Sequence, residues 1–283
     1  MNSEPPLFSD GALEIRRCKY GLMLYSTRDA YIGRALQHYG EYSEDDIRLF
    51  DRIVKPGHTI LDVGANIGAH TVYFAATVGA AGKVYAFEPL AGNFQLLSAN
   101  LALNRLENCS TRQVAVGSTE TMVEVPRASV VAEGNQGGFS FLDPQDQDCA
   151  LEPITQITID ALELSECHLI KADVEGMEAE VVIGASDTLK RCRPMLYLEN
   201  NREDLSPTLI DALLTRDYKC FWHLTKYFNP ENFFGEEENI FPTMFEQNIL
   251  AVPNMVAGLI EGLEPVISPD DRPLSRSSNS SER

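Results

Sequence analysis

The stretch Ile60-Leu61-Asp62-Val63-Gly64-Ala65-Asn66-Ile67-Gly68 constrains the fold of this chain more than any other. A short apolar run ends in an acid. Two glycines then bend the chain into a helical pattern over 69–78, which Gly79 closes. Strand, tight turn and helix in this order make the first half of a βαβ unit. The following segments repeat the pattern. Residues 83–87 read as a strand ending at Glu88, Pro89 opens a helix with Phe94, Leu97 and Leu101 on one face, and 111–116 read as a third strand.

Upstream, Ser43 with Asp46 in the capping-box position predicts a helix carrying Ile47, Phe50 and Val54, stopped by Pro56-Gly57. Downstream, 167–172 and 195–198 read as core strands and 176–189 as a helix. Ser206-Pro207 reads as an N-cap and first helical residue. Two last strands, 218–224 and 248–252, have no helix between them and can pair antiparallel at one edge. Between 123 and 141 the pattern suggests an inserted hairpin. Strands alternating with helices predict a doubly wound, mostly parallel α/β sheet with helices on both faces.

The length of 283 residues suits one domain with appendages. We expect an N-terminal extension or lid over 1–42, the α/β domain over 43–253, and a largely disordered tail over 254–283, which is rich in Ser, Pro, Asp and Arg from 268 onward. No apolar run is long enough for a membrane span, and the N-terminus lacks the basic and apolar regions of a signal peptide. The six cysteines form no C-x-x-C pair, which favours free thiols over zinc or disulfides and a cytoplasmic location. A net charge of -19 disfavours nucleic acid as a partner. Glu236, Glu237 and Glu238 read as a solvated loop. A homo-oligomer is open.

Glycine turns of the 64–68 kind place a ligand at the carboxyl end of a strand, near a helix N-terminus. Glu88, ending the second strand, can accept hydrogen bonds from both hydroxyls of a ribose. Asn66 stands where the dinucleotide fingerprint needs a glycine, and Asp62 brings negative charge to where phosphates would lie. S-adenosylmethionine has no phosphates and carries a sulfonium and an ammonium, so it suits this turn better than a nicotinamide cofactor.

Several segments together resemble the FkbM family of O-methyltransferases: 39–43 (Tyr-Gly-Glu-Tyr-Ser), 62–68, Phe87-Glu88-Pro89, Asn100 to Asn104, and 170–178 with Lys171, Asp173, Glu175 and Gly176. The resemblance runs over about 31–253. It implies a class I methyltransferase-like sheet of seven strands, S-adenosylmethionine as cofactor, and methylation of a hydroxyl on a sugar, glycan or secondary metabolite. The cofactor-binding set is then Glu41, Tyr42, Asp62, Gly64, Asn66, Gly68, Glu88, Ala115 and Asp173, with Glu41 and Tyr42 reaching the methionine end or forming a surface turn.

Methyl transfer to oxygen needs a positioned acceptor and profits from a base. The catalytic candidates are Asp173, Glu175, His223 and Lys171. Asp173 or Glu175 can also cap the helix near Gly176. Lys171 can simply pair with a carboxylate, and His223 can be packing beside the sole tryptophan. Glu199 either lines the acceptor pocket or pairs with Arg202. Asp173, Glu199 and Asn200 offer oxygen ligands to a divalent metal, a possibility not favoured. Residues 123–153 and 228–245, with Tyr227, Phe228, Phe233 and Phe234, are expected to shape the acceptor pocket or close the core. The rival readings are a non-catalytic S-adenosylmethionine-binding protein and a nicotinamide-dependent oxidoreductase.

Overall fold

The computed structural model describes residues 5–127 and 150–273. In chain order, β1 (Phe8–Ser9), β2 (Leu13–Cys18) and β3 (Gly21–Ser26) form a small antiparallel sheet, followed by α1 (Ile32–Tyr39) and α2 (Glu44–Ile53). Then come β4 (Thr59–Val63), α3 (Ala69–Val78), β5 (Lys83–Phe87), α4 (Ala91–Leu103), β6 (Cys109–Arg112), β7 (Ala115–Val116), β8 (Thr121–Pro126) and β9 (Leu151–Ile157). The chain continues through β10 (Leu169–Ala172), α5 (Glu178–Ile183), α6 (Ser186–Cys192), β11 (Met195–Glu199), α7 (Ser206–Leu214), β12 (Tyr218–Lys226), β13 (Phe245–Pro253) and β14 (Glu264–Pro265).

The main sheet has the order β14-β12-β13-β11-β10-β4-β5-β6. Strands β6, β5, β4, β10 and β11 are parallel, while β13 runs antiparallel between β11 and β12. The last two long strands therefore do pair antiparallel, but β13 is inserted into the sheet instead of lying at its edge. An eighth strand, the short β14, adds to the expected seven by pairing with β12. Residues 254–273 accordingly hold a 3₁₀ turn (Asn254–Leu259) and a sheet strand, which corrects the expectation of a tail beginning at 254. Residues 274–283 lie outside the described residues.

Strand β4 is buried along its whole length. Leu61 and Val63 face one core with α5, α6 and α7 residues such as Val182, Leu189 and Leu213. Ile60 faces the other with Ile47, Phe50 and Phe74 of α2 and α3. Two apolar faces on one strand leave no solvated side, as a sheet covered on both faces requires.

Some local expectations are corrected. The third strand ends at Arg112, opposite Phe87, the last residue of β5. With its ladder partner exhausted, the chain leaves the sheet, and Ala115–Val116 pairs with β9 in a small sheet of order β7-β9-β8. Strand β8 covers the first arm of the expected hairpin, but it pairs with β9 at 151–157, beyond the expected limit of 141; positions 137–141 lie outside the described residues. The helix expected over 176–189 breaks into α5 and α6 at Gly184, which lies against the Gly117 carbonyl. Ser43 does not cap α2 through a backbone amide; its hydroxyl donates to the Asp46 carboxylate.

The Asn100–Asn104 motif has a structural role. Asn100 accepts from the Leu24 amide and donates to the Leu24 and Ile67 carbonyls, and Asn104 pairs with the Leu22 amide and carbonyl. Two side-chain amides of α4 thus complete the backbone hydrogen bonds of β3 and dock the N-terminal sheet.

Candidate active site

Chain order reverses at β4: β5 and β6 lie to one side, β10 and β11 to the other. Ligands of open α/β sheets bind at such a switch point, beyond the carboxyl ends of the strands. The turn after β4 and the loop after β10 meet there. Gly64 has φ 72°, and a Cβ on it would stand 1.8 Å from the Asp173 carbonyl oxygen. This glycine therefore serves the contact between two protein loops as well as any ligand.

Two adjoining hollows open at this point. One is a slot of about 50 Å³, walled largely by apolar residues including Phe87, Pro89, Leu90, Val114, Ala115 and Val116. The other is a polar chamber of about 300 Å³, whose wall includes Asp29, Tyr31, Tyr42, Asn66, Glu199, Asn201, Tyr227, Thr243 and Glu246. Gly64, Glu88, Asp173 and Glu175 belong to both.

Glu88 is 4% exposed. One carboxylate oxygen accepts from the Asn66 amide and the other from the Leu90 amide, each at 2.9 Å. The Asn93 side chain also hydrogen-bonds this carboxylate, which keeps lone-pair capacity for a further donor. Burial pushes this carboxyl up to about 7, against the pull of the two amides. The sign of the linked stability follows. Between about 4.5, the unfolded value, and about 7, the folded chain holds a proton on Glu88 that the unfolded chain has released. Raising pH through this window therefore removes stability. Chemical denaturation of the ligand-free protein should show Glu88→Gln gaining on wild type by about 1.4 kcal/mol per pH unit from pH 5 to 7. A difference independent of pH would contradict the shift.

Lys171 of β10 is 5% exposed and lies beneath the chamber floor. Its Nζ donates to the Gly64 carbonyl at 3.0 Å and pairs with Asp62 at 3.4 Å and Asp173 at 3.5 Å. Burial opposes its charge, but Asp173 and Asp62 outweigh burial and hold its pKa above the usual lysine value. Its contacts tie the turn after β4 to the loop after β10.

Several other candidates are placed differently from expectation. Asp62 is 0% exposed, accepts from the Thr71 hydroxyl at 2.6 Å, and lies outside both hollows. Gly68 meets Leu97 of α4, where a Cβ would come within 2.7 Å, so its role is helix packing. Glu41 accepts from the Asn229 side chain and the Phe233 amide, anchoring the 229–233 loop instead of reaching the cavity. His223 lines neither hollow; its Nδ1 lies 2.8 Å from the Tyr197 hydroxyl, and burial lowers its pKa. Neither Asp173 nor Glu175 caps α5, whose N-cap residue is Met177 with no side-chain cap; Glu178 instead accepts from the Val174 and Gly176 amides and braces the loop before the helix.

Tyr42, Gly64, Asn66, Glu88, Ala115, Asp173 and Glu175 do come together on the cavity walls. Asp173, Glu175 and Glu199 each bring a carboxylate oxygen within 4.8 Å of the others. Glu175 thus takes the place expected of Asn200, whose amide is turned to Ser206. These are donors of the kind hard cations take, but such acid groups are common without metals and none is assigned. Burial, then Asp173 and Glu175, push Glu199 well above the usual carboxyl range.

Sequence reasoning missed Asp29, Gln156 and Glu246. Glu246, on β13, accepts from the Tyr227 hydroxyl at 2.5 Å and the Tyr42 hydroxyl at 3.3 Å. Burial, then Asp46 and Asp173, raise its pKa. Its one signal was the parity of β13, which points residue 246 to the same side as Asn248. A further apolar groove holding Phe228, Phe241 and Pro242 adjoins the chamber through Thr243, Met244 and Phe245. Phe233 and Phe234 pack instead beside Gly40. No helix among the described residues is long and apolar enough to cross a membrane.

The AMB antimetabolite synthetase AmbE of Pseudomonas aeruginosa is 30% identical over 213 residues, covering 62% of this chain and 10% of that protein. The chain thus spans about a tenth of the length of this curated relative. Among solved structures, a methyltransferase FkbM from Methylobacillus flagellatus superposes with a TM-score of 0.45 at 16% identity, covering 72% of this chain and 50% of that one. A SAM-dependent O-methyltransferase from Thermotoga maritima gives 0.47 at 15% identity, with coverage of 85% and 77%. The family model described as the methyltransferase FkbM domain matches residues 62–220, more than half of the chain. The chain therefore belongs to the methyltransferase FkbM domain family.

Proposed function

We propose that this protein is an S-adenosylmethionine-dependent O-methyltransferase acting on a hydroxyl of a sugar, a glycan or a secondary metabolite. The observation that carries this reading is Glu88: a buried carboxylate held by two backbone amides and the Asn93 side chain, at the boundary between an apolar slot and an acid-lined chamber. The donor set fits the cofactor. Ala115, Leu90 and Val116 suit the faces of an adenine, Glu88 suits a ribose diol, and the acids beyond suit an ammonium and a sulfonium. Among the described residues neither wall contains Lys or Arg to offset the charge of a pyrophosphate.

The cofactor supplies a methyl group on a cationic sulfur. The chain's part is to orient the acceptor, exclude water and take a proton. Of the four catalytic candidates, Asp173 and Glu175 face the chamber; Lys171 positions their loop and His223 lies outside. Asp29, Tyr31 and Ile32 give the N-terminal segment a place in the chamber wall, consistent with a lid. The groove beyond Thr243 and Phe245 offers room for the rest of the acceptor.

A panel of glycans, free sugars and hydroxylated metabolites, read by release of S-adenosylhomocysteine, tests the chemistry. Turnover is expected on a hydroxyl and is expected to be lost when that hydroxyl is replaced by hydrogen. Cofactor binding without transfer to any hydroxyl, or transfer to nitrogen alone, would contradict the proposal.

A further inference from the structure

We propose that the polar chamber reads the charge on the cofactor's sulfur, holding the cationic sulfonium and releasing the neutral thioether, with Glu246 as the residue that sets this discrimination. The inference rests on the cofactor reading above. The apolar slot beside Glu88 has no group to pair with a charge beyond the acids that it shares with the chamber, so the charged end of the cofactor belongs in the chamber.

There the carboxylates of Asp173, Glu175 and Glu199 crowd within 4.8 Å, and Glu246 faces the same space, fixed by the hydroxyls of Tyr42 and Tyr227. Among the described residues no Lys or Arg lines the chamber. The ammonium below it, Lys171, is already shared among Asp62, Asp173 and the Gly64 carbonyl, so it offsets only part of this charge. A cation entering such a wall is strongly favoured over a neutral group of the same shape, because the low-dielectric surroundings weaken each attraction little.

The transfer changes this balance. The S–CH₃ bond breaks and its electron pair stays on sulfur; the acceptor oxygen forms the new O–CH₃ bond; the hydroxyl proton passes to a chamber carboxylate and then to water. Burial holds Glu199 and Glu246 towards their protonated forms, and a cation beside them favours the ionised forms; once the sulfur is neutral that gain is lost, so the reaction itself loosens its product. The α-ammonium is common to both forms and does not contribute to the difference.

Calorimetric titration of the full chain with S-adenosylmethionine, S-adenosylhomocysteine and sinefungin, whose amine carries positive charge near the sulfur position, tests this. The two cationic ligands are expected to bind about tenfold or more tightly than S-adenosylhomocysteine. In Glu246→Gln the ratio should fall to about threefold or less, and Glu199→Gln, a second variant with the same charge change, should lower it too. Equal or tighter binding of S-adenosylhomocysteine by wild type would overturn the inference, as would a ratio unchanged in both variants. If wild type binds none of the three ligands, the cofactor reading itself fails. Unfolding midpoints measured alongside show whether each variant is folded.

Discussion

Lys171→Met should lower the stability of the protein by about 3–5 kcal/mol, the cost of leaving a buried charge without its partner. The Lys171 ammonium is the compensating group for Asp62 Oδ1, which is fully buried and receives no hydrogen bond of its own. It also ties the carbonyl of Gly64 and the carboxylate of Asp173, so its loss separates the turn after β4 from the loop after β10. At about 2–4 °C per kcal/mol for a chain of this size, the unfolding midpoint should fall by roughly 10 °C. Adding Asp62→Asn removes the orphaned charge and should recover a substantial part of the loss, a coupling that a double-mutant cycle reads directly. A Lys171→Met protein as stable as wild type would mean that Asp62 is compensated by other means. Methionine matches lysine in length and apolar stem, so the comparison isolates charge from packing.

The central strands and their glycine turn were legible because their signals are local. The apolar run of β4, the helix over 69–78 and the strand over 83–87 are each written in consecutive residues, and the last two are found with the expected limits. Glu88 and Asp173 were legible for the same reason: each directly follows a core strand, and the switch-point rule says what lies there. The order of the last strands was not legible, since nothing in 218–253 states that β13 inserts between β11 and β12.

Side-chain direction was the main source of error within the site. Asp62 and Gly68 stand in the right motif, yet one points into the core toward Thr71 and Lys171 and the other lies against α4. Glu41 lies in a motif next to Tyr42, but only Tyr42 reaches the chamber. His223 sits on a strand whose neighbour Tyr197 engages it outside the cavity. Asp29, Gln156 and Glu246 were hidden for a different reason. They converge on the cavity from distant parts of the chain, and each is an unremarked polar residue in its own neighbourhood. The acid trio shows both effects: Asp173 and Glu199 were visible as strand-end acids, whereas the exchange of Asn200 for Glu175 depends on which side chains turn inward.

The central claim is that Glu88 holds the ribose of S-adenosylmethionine, and titration of the cofactor into wild type and Glu88→Ala tests it most directly. Two hydrogen bonds to a charged acceptor, each worth about 1.5–3 kcal/mol, are removed together, so affinity should fall by at least about 100-fold. Glu88→Gln keeps the side-chain volume and one acceptor and should fall between the two. In wild type the affinity should also weaken as pH drops below about 7, where protonation takes one acceptor from the carboxyl. Saturable binding by wild type that is lost in a folded Glu88→Ala protein is the result the account predicts; unchanged affinity in that variant, or binding of NAD in place of S-adenosylmethionine, would contradict it.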